Sequence, residues 1–190
     1  MDGREVHERK AVLRGEIRAL RARLDPAERR AASTRICAEV ARLDAFEHAD
    51  DVLLYGASDE EVDVFALAEQ VLARGGRAHL PRVSGDDLEV VAFSDDTDLV
   101  RGYRGILEPR GEATDPGTLD VVVVPGIAFD RHGRRCGQGR GFYDRFLASI
   151  DATRIAVAFD VQVVDEVPAT AFDASMHALV TETQVLRFAS

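Results

Sequence analysis

Four consecutive valines, Val121 to Val124, constrain this chain more than any other stretch. β-Branched residues favour extended backbone. With no polar alternation, the strand over residues 120–124 is apolar on both faces, as in the centre of a parallel sheet. Both faces then need cover, and the flanking sequence supplies helices. The rest alternates accordingly. Strands are expected over residues 51–55, 77–80 (ended by Pro81), 88–93, 154–159 and 178–183. Helices are expected over 6–24, from Pro26 to about Leu43, and over 63–74 and 141–150. Asp25, Pro26 and Glu28 form a helix start, with Asp25 as the cap. Residues 94–119 are polar and read mostly as loop. The expected fold is a three-layer α/β/α domain with a mostly parallel central sheet, one domain over residues 1–190.

In the first helix Leu13, Ile17, Leu20 and Leu24 make an apolar stripe. Lys10, Arg14, Arg18 and Arg21 make a basic stripe beside it. Lys10 is the one lysine among 24 basic residues; the others are arginine. Ammonium and guanidinium differ wherever geometry matters, so the exception asks for a reason. Residues 1–35 carry ten basic and six acidic side chains, whereas the whole chain has a net charge of −10. The basic arm either steers an anionic ligand or is a solvated helix face. The acidic remainder argues against general nucleic-acid binding. No apolar run approaches a membrane span, and the first ten residues lack the apolar core of a secretory signal. Cys37 and Cys136 stand apart and are expected as free thiols in a reducing cytoplasm. The five histidines show no metal-ligand spacing.

Beyond the valines lie Pro125, Gly126 and a glycine cluster, Gly137, Gly139 and Gly141, just before a helix. Arg131, Arg134, Arg135 and Arg140 stand nearby. Glycines at alternate positions let N–H groups converge on an anion. The loop matches neither the Walker A nor the dinucleotide fingerprint. It reads as a phosphate cradle or as a flexible loop. Asp144, in the first turn of that helix, either binds Mg²⁺ beside phosphate oxygens or complements the helix end.

The series Pro125, Gly126, Ala128, Phe129, Asp130, Gly133, Arg135, Gly137, Gly139, Gly141, Phe142, Tyr143, Asp144 closely resembles the 5-formyltetrahydrofolate cyclo-ligase family. Lys10 with Arg14, then Glu61-Val62-Asp63, then Gly105, Ile106, Glu108 and Pro109, then Val167, Pro168 and Asp173 match the family in order. The resemblance implies a cyclo-ligase fold of the NagB/RpiA/CoA-transferase-like kind. It implies ATP- and Mg²⁺-dependent closure of 5-formyltetrahydrofolate to 5,10-methenyltetrahydrofolate by a cytoplasmic monomer with small-molecule partners. It assigns ATP binding to Lys10, Arg14, Arg135, Gly137, Gln138, Gly139, Arg140, Gly141, Phe142 and Tyr143. Gly56, Glu61, Gln138, Gly139, Arg140, Gly141 and Phe142 are assigned to the folate, and Asp144 and Asp173 to the metal. Lys10, Arg140 and Tyr143 are assigned to catalysis. Read alone, Glu61 sits in an acidic turn with Asp59, Glu60 and Asp63, and Phe142 and Tyr143 either wall a ligand or pack their helix.

The chain departs from the family at four places, mildly at Cys136, where an aliphatic residue is usual. Gln138 stands where arginine is usual, with Arg140 as a candidate to compensate. Phe142 replaces a common tyrosine, and Arg104 stands where an aromatic residue is common, with Tyr103 one earlier. Two other readings follow: a related enzyme acting on another small amide, or a nucleotide-binding module without catalysis.

Overall fold

The computed structural model describes residues 3–94, 96–170 and 173–188. Helices α1 (Gly3–Ala22), α2 (Pro26–Val40) and α3 (Asp44–Glu47) lead into strand β1 (Asp51–Leu53) and helix α4 (Phe65–Ala73). Strands β2 (Arg77–Ser84), β3 (Asp87–Phe93), β4 (Leu99–Arg101), β5 (Leu107–Pro109) and β6 (Ala113–Thr114) follow. Then come β7 (Val121–Val124), β8 (Ala128–Asp130), β9 (Arg135–Cys136) and helix α5 (Phe142–Ala148). The last strands are β10 (Thr153–Val157), β11 (Val163–Val164), β12 (Ala178–Val180) and β13 (Val185–Arg187).

The central sheet runs β13-β12-β10-β7-β1-β2-β3-β6. Its inner strands, β12, β10, β7, β1 and β2, are parallel. Antiparallel β13 closes one edge, and β3 with β6 closes the other. The four valines are fully enclosed. Val121 and Val123 share a core with Ile36 and Val40 of α2 and Leu67 and Val71 of α4. Val122 and Val124 share the opposite core with Phe146 and Leu147 of α5. Each contributes on the order of 2 kcal/mol by burial. In chain order the parallel strands lie 2-1-3-4-5, so the order reverses between β1 and β7. Sheets of this kind bind ligands beyond the carboxyl ends of the strands flanking the reversal.

Helix α1 packs elsewhere. Ile17 and Leu13 meet Ile127, Ala128, Cys136 and Val167 around the small sheet β11-β8-β9. Leu20, expected inward, is exposed. Asp25 caps α2 as expected, with Oδ1 accepting the Ala27 and Glu28 N–H groups at 2.7 and 3.3 Å. That helix ends at Val40, short of Leu43, and α3 restarts the coil around buried Phe46. Pro81 does not end β2, which continues to Ser84. His79 turns its carbonyl to Leu54 of the β1 side, so Pro81, two residues on, directs its missing N–H there. Strand β1 has ended by then, and nothing is lost from the ladder. The segment 94–119, expected as loop, contains β4, β5 and β6. The expected strand 178–183 turns back after Val180 to form β13. Cys37 and Cys136 are free and buried, and burial, with Asp63 nearby, pushes the Cys37 thiol up to about 12. No described helix is long and apolar enough to cross a membrane.

Candidate active site

Residues that leave β1 and β7 open into one cavity at the reversal point. Tyr55 and Gly56 follow β1, Pro125 and Gly126 follow β7, and all four line it. The β4–β5 hairpin and its 3-10 turn (Tyr103–Gly105) form one wall. Gly56 lets that hairpin dock: a Cβ there would lie 2.4 Å from the Leu107 carbonyl oxygen and 2.9 Å from Ile106 Cγ2. Buried Glu108 holds the turn by accepting the Tyr103 N–H at 3.0 Å. The opposite wall is the glycine loop with the first turn of α5, comprising Gly137, Gln138, Arg140, Gly141, Phe142, Tyr143 and Asp144. Gly141 starts α5 with φ 71°, a left-handed conformation that glycine adopts without strain. No side chain caps this seven-residue helix.

The basic stripe of α1 faces the loops rather than solvent alone: Arg14 and Arg18 reach the glycine loop, Lys10 reaches Asp173 and Arg21 reaches Glu60. Arg14 Nε donates to the Gly137 carbonyl at 2.8 Å, and its guanidinium flanks Gly139. Arg18 reaches Gln138 Oε1 at 3.3 Å. Arg21 is buried against Glu60 at 3.3 Å. Lys10 Nζ meets Asp173 Oδ1 at 2.5 Å, with both side chains largely enclosed. Burial alone would raise Asp173, but bonds from Lys10 and from the Thr170 N–H and hydroxyl hold it below the usual carboxylate range. Lys10, Arg14, Asp173 and, within the loop, Gly139 are outside the cavity lining.

The two carboxylates expected at a metal are engaged separately. Asp173 borders a different hollow, with Arg134, Glu166 and Thr170. Both its oxygens are bonded, to Lys10 and to Thr170. Asp144 lines the main cavity and takes Arg135 Nη2 on Oδ1 at 2.7 Å, while its Oδ2 has no hydrogen-bond partner among the described residues. No group of three or more His, Cys, Asp or Glu assembles a metal cage among the described residues. Mg²⁺ is commonly held by one or two carboxylates plus phosphate oxygens. Asp144 keeps one oxygen without a hydrogen-bond partner among the described residues, whereas the oxygens of Asp173 accept from Lys10 and Thr170.

Glu61 lines the cavity, its Oε2 held by the Ser58 N–H and hydroxyl at 3.1 and 2.9 Å. Gln138 Nε2 donates to Glu61 Oε1 at 3.4 Å, joining the loop after β1 to the glycine loop. Phe142 does line a ligand-sized space, and Tyr103 meets it edge-on at 5.5 Å. The aromatic wall is thus carried by Tyr103, one residue before Arg104. Tyr143 also lines the cavity. Its hydroxyl is buried without a hydrogen-bond partner among the described residues, and burial pushes its pKa up despite the opposing charge of Arg135. Arg135 is buried and also donates to the Pro125 carbonyl at 3.3 Å. Arg140 pairs with Asp86 at 3.6 Å and stacks over Phe142, away from Gln138. Sequence reasoning missed Tyr55, Ile106, Pro81, Val83 and Leu88 as lining residues. Their sequence signal is an apolar type near an expected strand end and, for Ile106, the match to the family pattern.

Comparison with known proteins identifies the family. The model of the 5-formyltetrahydrofolate cyclo-ligase family matches residues 6–182. The 5-formyltetrahydrofolate cyclo-ligase of Escherichia coli K12 is 32% identical over 146 residues, covering 72% of this chain and 80% of that protein. The cyclo-ligase of Mycolicibacterium smegmatis is 36% identical over 141 residues, covering 68% and 72%. The solution structure of Aquifex aeolicus 5,10-methenyltetrahydrofolate synthetase superposes with a TM-score of 0.85 at 34% identity, covering 95% of this chain and 93% of that one. With its family model matched nearly end to end and its sheet order and cavity in place, the chain belongs to the 5-formyltetrahydrofolate cyclo-ligase family.

Proposed function

We propose that this enzyme closes 5-formyltetrahydrofolate to 5,10-methenyltetrahydrofolate with ATP and Mg²⁺, as a cytoplasmic monomer whose single domain carries the whole site. One observation carries the reading: Glu61 and the glycine loop, far apart in sequence, face each other across one cavity and are joined by the Gln138 amide. A carboxylate suits the N3–H and 2-amino edge of a pterin. The glycine loop, backed by Arg14 and Arg135, suits phosphates. Tyr103 and Phe142 offer ring edges between them.

The formyl oxygen is a poor leaving group until it is phosphorylated. It attacks the γ-phosphorus, the bond to ADP breaks, and an imidate phosphate forms. N10 then attacks the formyl carbon, the C–O bond breaks, and the N10 proton leaves with inorganic phosphate. This chain's share is positioning and charge neutralisation, the main protein contribution to phosphoryl transfer. Glu61 orients the ring so that its N5 edge turns toward the glycine loop. Tyr143 lines the site, and its buried hydroxyl, without a hydrogen-bond partner among the described residues, is available to a ligand oxygen once the site fills. Arg135 holds the Asp144 carboxylate in place. Asp144 would hold Mg²⁺, which would supply positive charge to offset that of the phosphates. Lys10, seated on Asp173, supports the loop from behind and is poised to exchange that partner for a phosphate.

Oxygen labelling tests the scheme. With ¹⁸O in the formyl group, the label should appear in inorganic phosphate. Label released as water, or kept in the folate product, would refute phosphorylation of that oxygen.

A further inference from the structure

Two guanidinium groups converge on one neutral atom at the mouth of this cavity. Arg18 comes from α1 and Arg104 from the turn between β4 and β5, and they donate to Gln138 Oε1 at 3.3 and 2.8 Å. Neither makes an ion pair among the described residues. Both contacts are exposed, so water solvates the two charges, and an anion entering beside them would meet both guanidinium groups at once. The other end of the same amide donates to Glu61, so the cations lie one amide away from that carboxylate. Arg104 lines the cavity, and its guanidinium lies over the Tyr103 ring at 5.6 Å.

The backbone of Arg104 is held in an unusual state. Its φ of 55° and ψ of 23° make it the one non-glycine residue at positive φ among the described residues. Arginine has no short side chain to ease that conformation, and glycine would adopt it freely. Such strain persists where surrounding structure and function hold it. Arg140, the other candidate cation, faces Asp86 and does not reach Gln138.

We propose that Arg104 is a further catalytic residue, with Arg18 behind it. Its guanidinium binds the oxygens of the γ-phosphoryl group as the bond to ADP breaks and the bond to the formyl oxygen forms. This rests on the function proposed above. A ring anchored at Glu61 places its N5 edge about one ring width away, on the side of Gln138 and the glycine loop. The carboxylates of a folate's glutamyl tail lie much farther from that edge than one amide. The γ-phosphoryl group is therefore the anion within reach.

Arg104→Gly tests the assignment, because it removes the guanidinium while relieving the backbone. Binding is measured by calorimetry with Mg²⁺ and either ADP or a non-hydrolysable ATP analogue. Affinity for the analogue should fall about tenfold, the loss expected for one charge-assisted bond, with ADP unchanged. Turnover should fall about a hundredfold, as when one donor to a transition-state oxyanion is removed, with the folate KM little altered. Arg104→Lys should recover part of both. Equal losses for ADP and analogue, no loss for either, or a rise in folate KM alone would overturn the proposal. Wild-type protein inert toward 5-formyltetrahydrofolate would refute the proposed reaction instead, and the comparison of analogue with ADP would still decide whether Arg104 meets a γ-phosphate.

Discussion

Asp173→Asn separates two roles for one carboxylate. The Lys10–Asp173 pair spans 2.5 Å, with side chains 11% and 15% exposed. Exposed pairs contribute about 0–1 kcal/mol, whereas breaking a fully buried one costs about 3–5 kcal/mol. This pair lies between, so the loss should be about 2 kcal/mol, or about 6 °C in Tm for a domain of this size. Crossing Asp173→Asn with Lys10→Met in a double-mutant cycle isolates the coupling, read by urea denaturation at neutral pH. The pH dependence has a definite sign. Asp173 lies below the usual carboxylate range when folded, so the unfolded chain binds the proton more readily. The pair's contribution is complete above the unfolded value, about 4, and is lost as pH falls through the lower folded value. The gap between wild type and Asp173→Asn should therefore narrow in acid. A coupling below about 0.5 kcal/mol would refute the reasoning, as would a gap that widens in acid. Lys10→Arg keeps the charge but broadens the head group, and should lower both coupling and turnover.

Gly56→Ala drives a Cβ into the Leu107 carbonyl and should cost about 1–3 kcal/mol by overpacking, while raising the folate KM because the hairpin wall shifts. Thermal denaturation and steady-state kinetics check both effects. Glu61→Gln should raise the folate KM far more than the ATP KM; equal rises would remove Glu61 from the pterin. Asp144→Asn should flatten the Mg²⁺ dependence of turnover and lower stability by about 2 kcal/mol, because buried Arg135 loses its charged partner. Tyr143→Phe should stabilise the ligand-free protein by up to about 1 kcal/mol, since its hydroxyl is buried without a partner among the described residues, yet slow turnover.

The centre of the fold was legible because its signals are local. Four valines need only their own side chains to specify a buried strand, and Asp25 caps α2 through N–H groups two and three residues on. The glycine spacing likewise marked the loop that lines the cavity. The hairpin wall was not legible. Strands β4 and β5 have three residues each, in a polar segment, and owe their register to one another and to the space Gly56 leaves. The basic stripe of α1 was visible, but its partners were not. Lys10 meets Asp173, and Arg18 meets Gln138, across separations on which helical periodicity is silent. Arg21, suited by sequence to an exposed face, is enclosed because α1 lies over the loop that carries Glu60. Arg104 read as a departure from the family pattern, and only the folded chain shows it meeting Gln138, a second departure.

The central claim is that one cavity joins a nucleotide to a formylated folate. Turnover tests it most directly: purified protein with 5-formyltetrahydrofolate, ATP and Mg²⁺, followed by the absorbance of 5,10-methenyltetrahydrofolate and by phosphate release. The account predicts both products in equal amounts, with neither formed when ATP or the folate is omitted. Phosphate release without folate closure, or no product at high enzyme concentration beside a competent control, would contradict it.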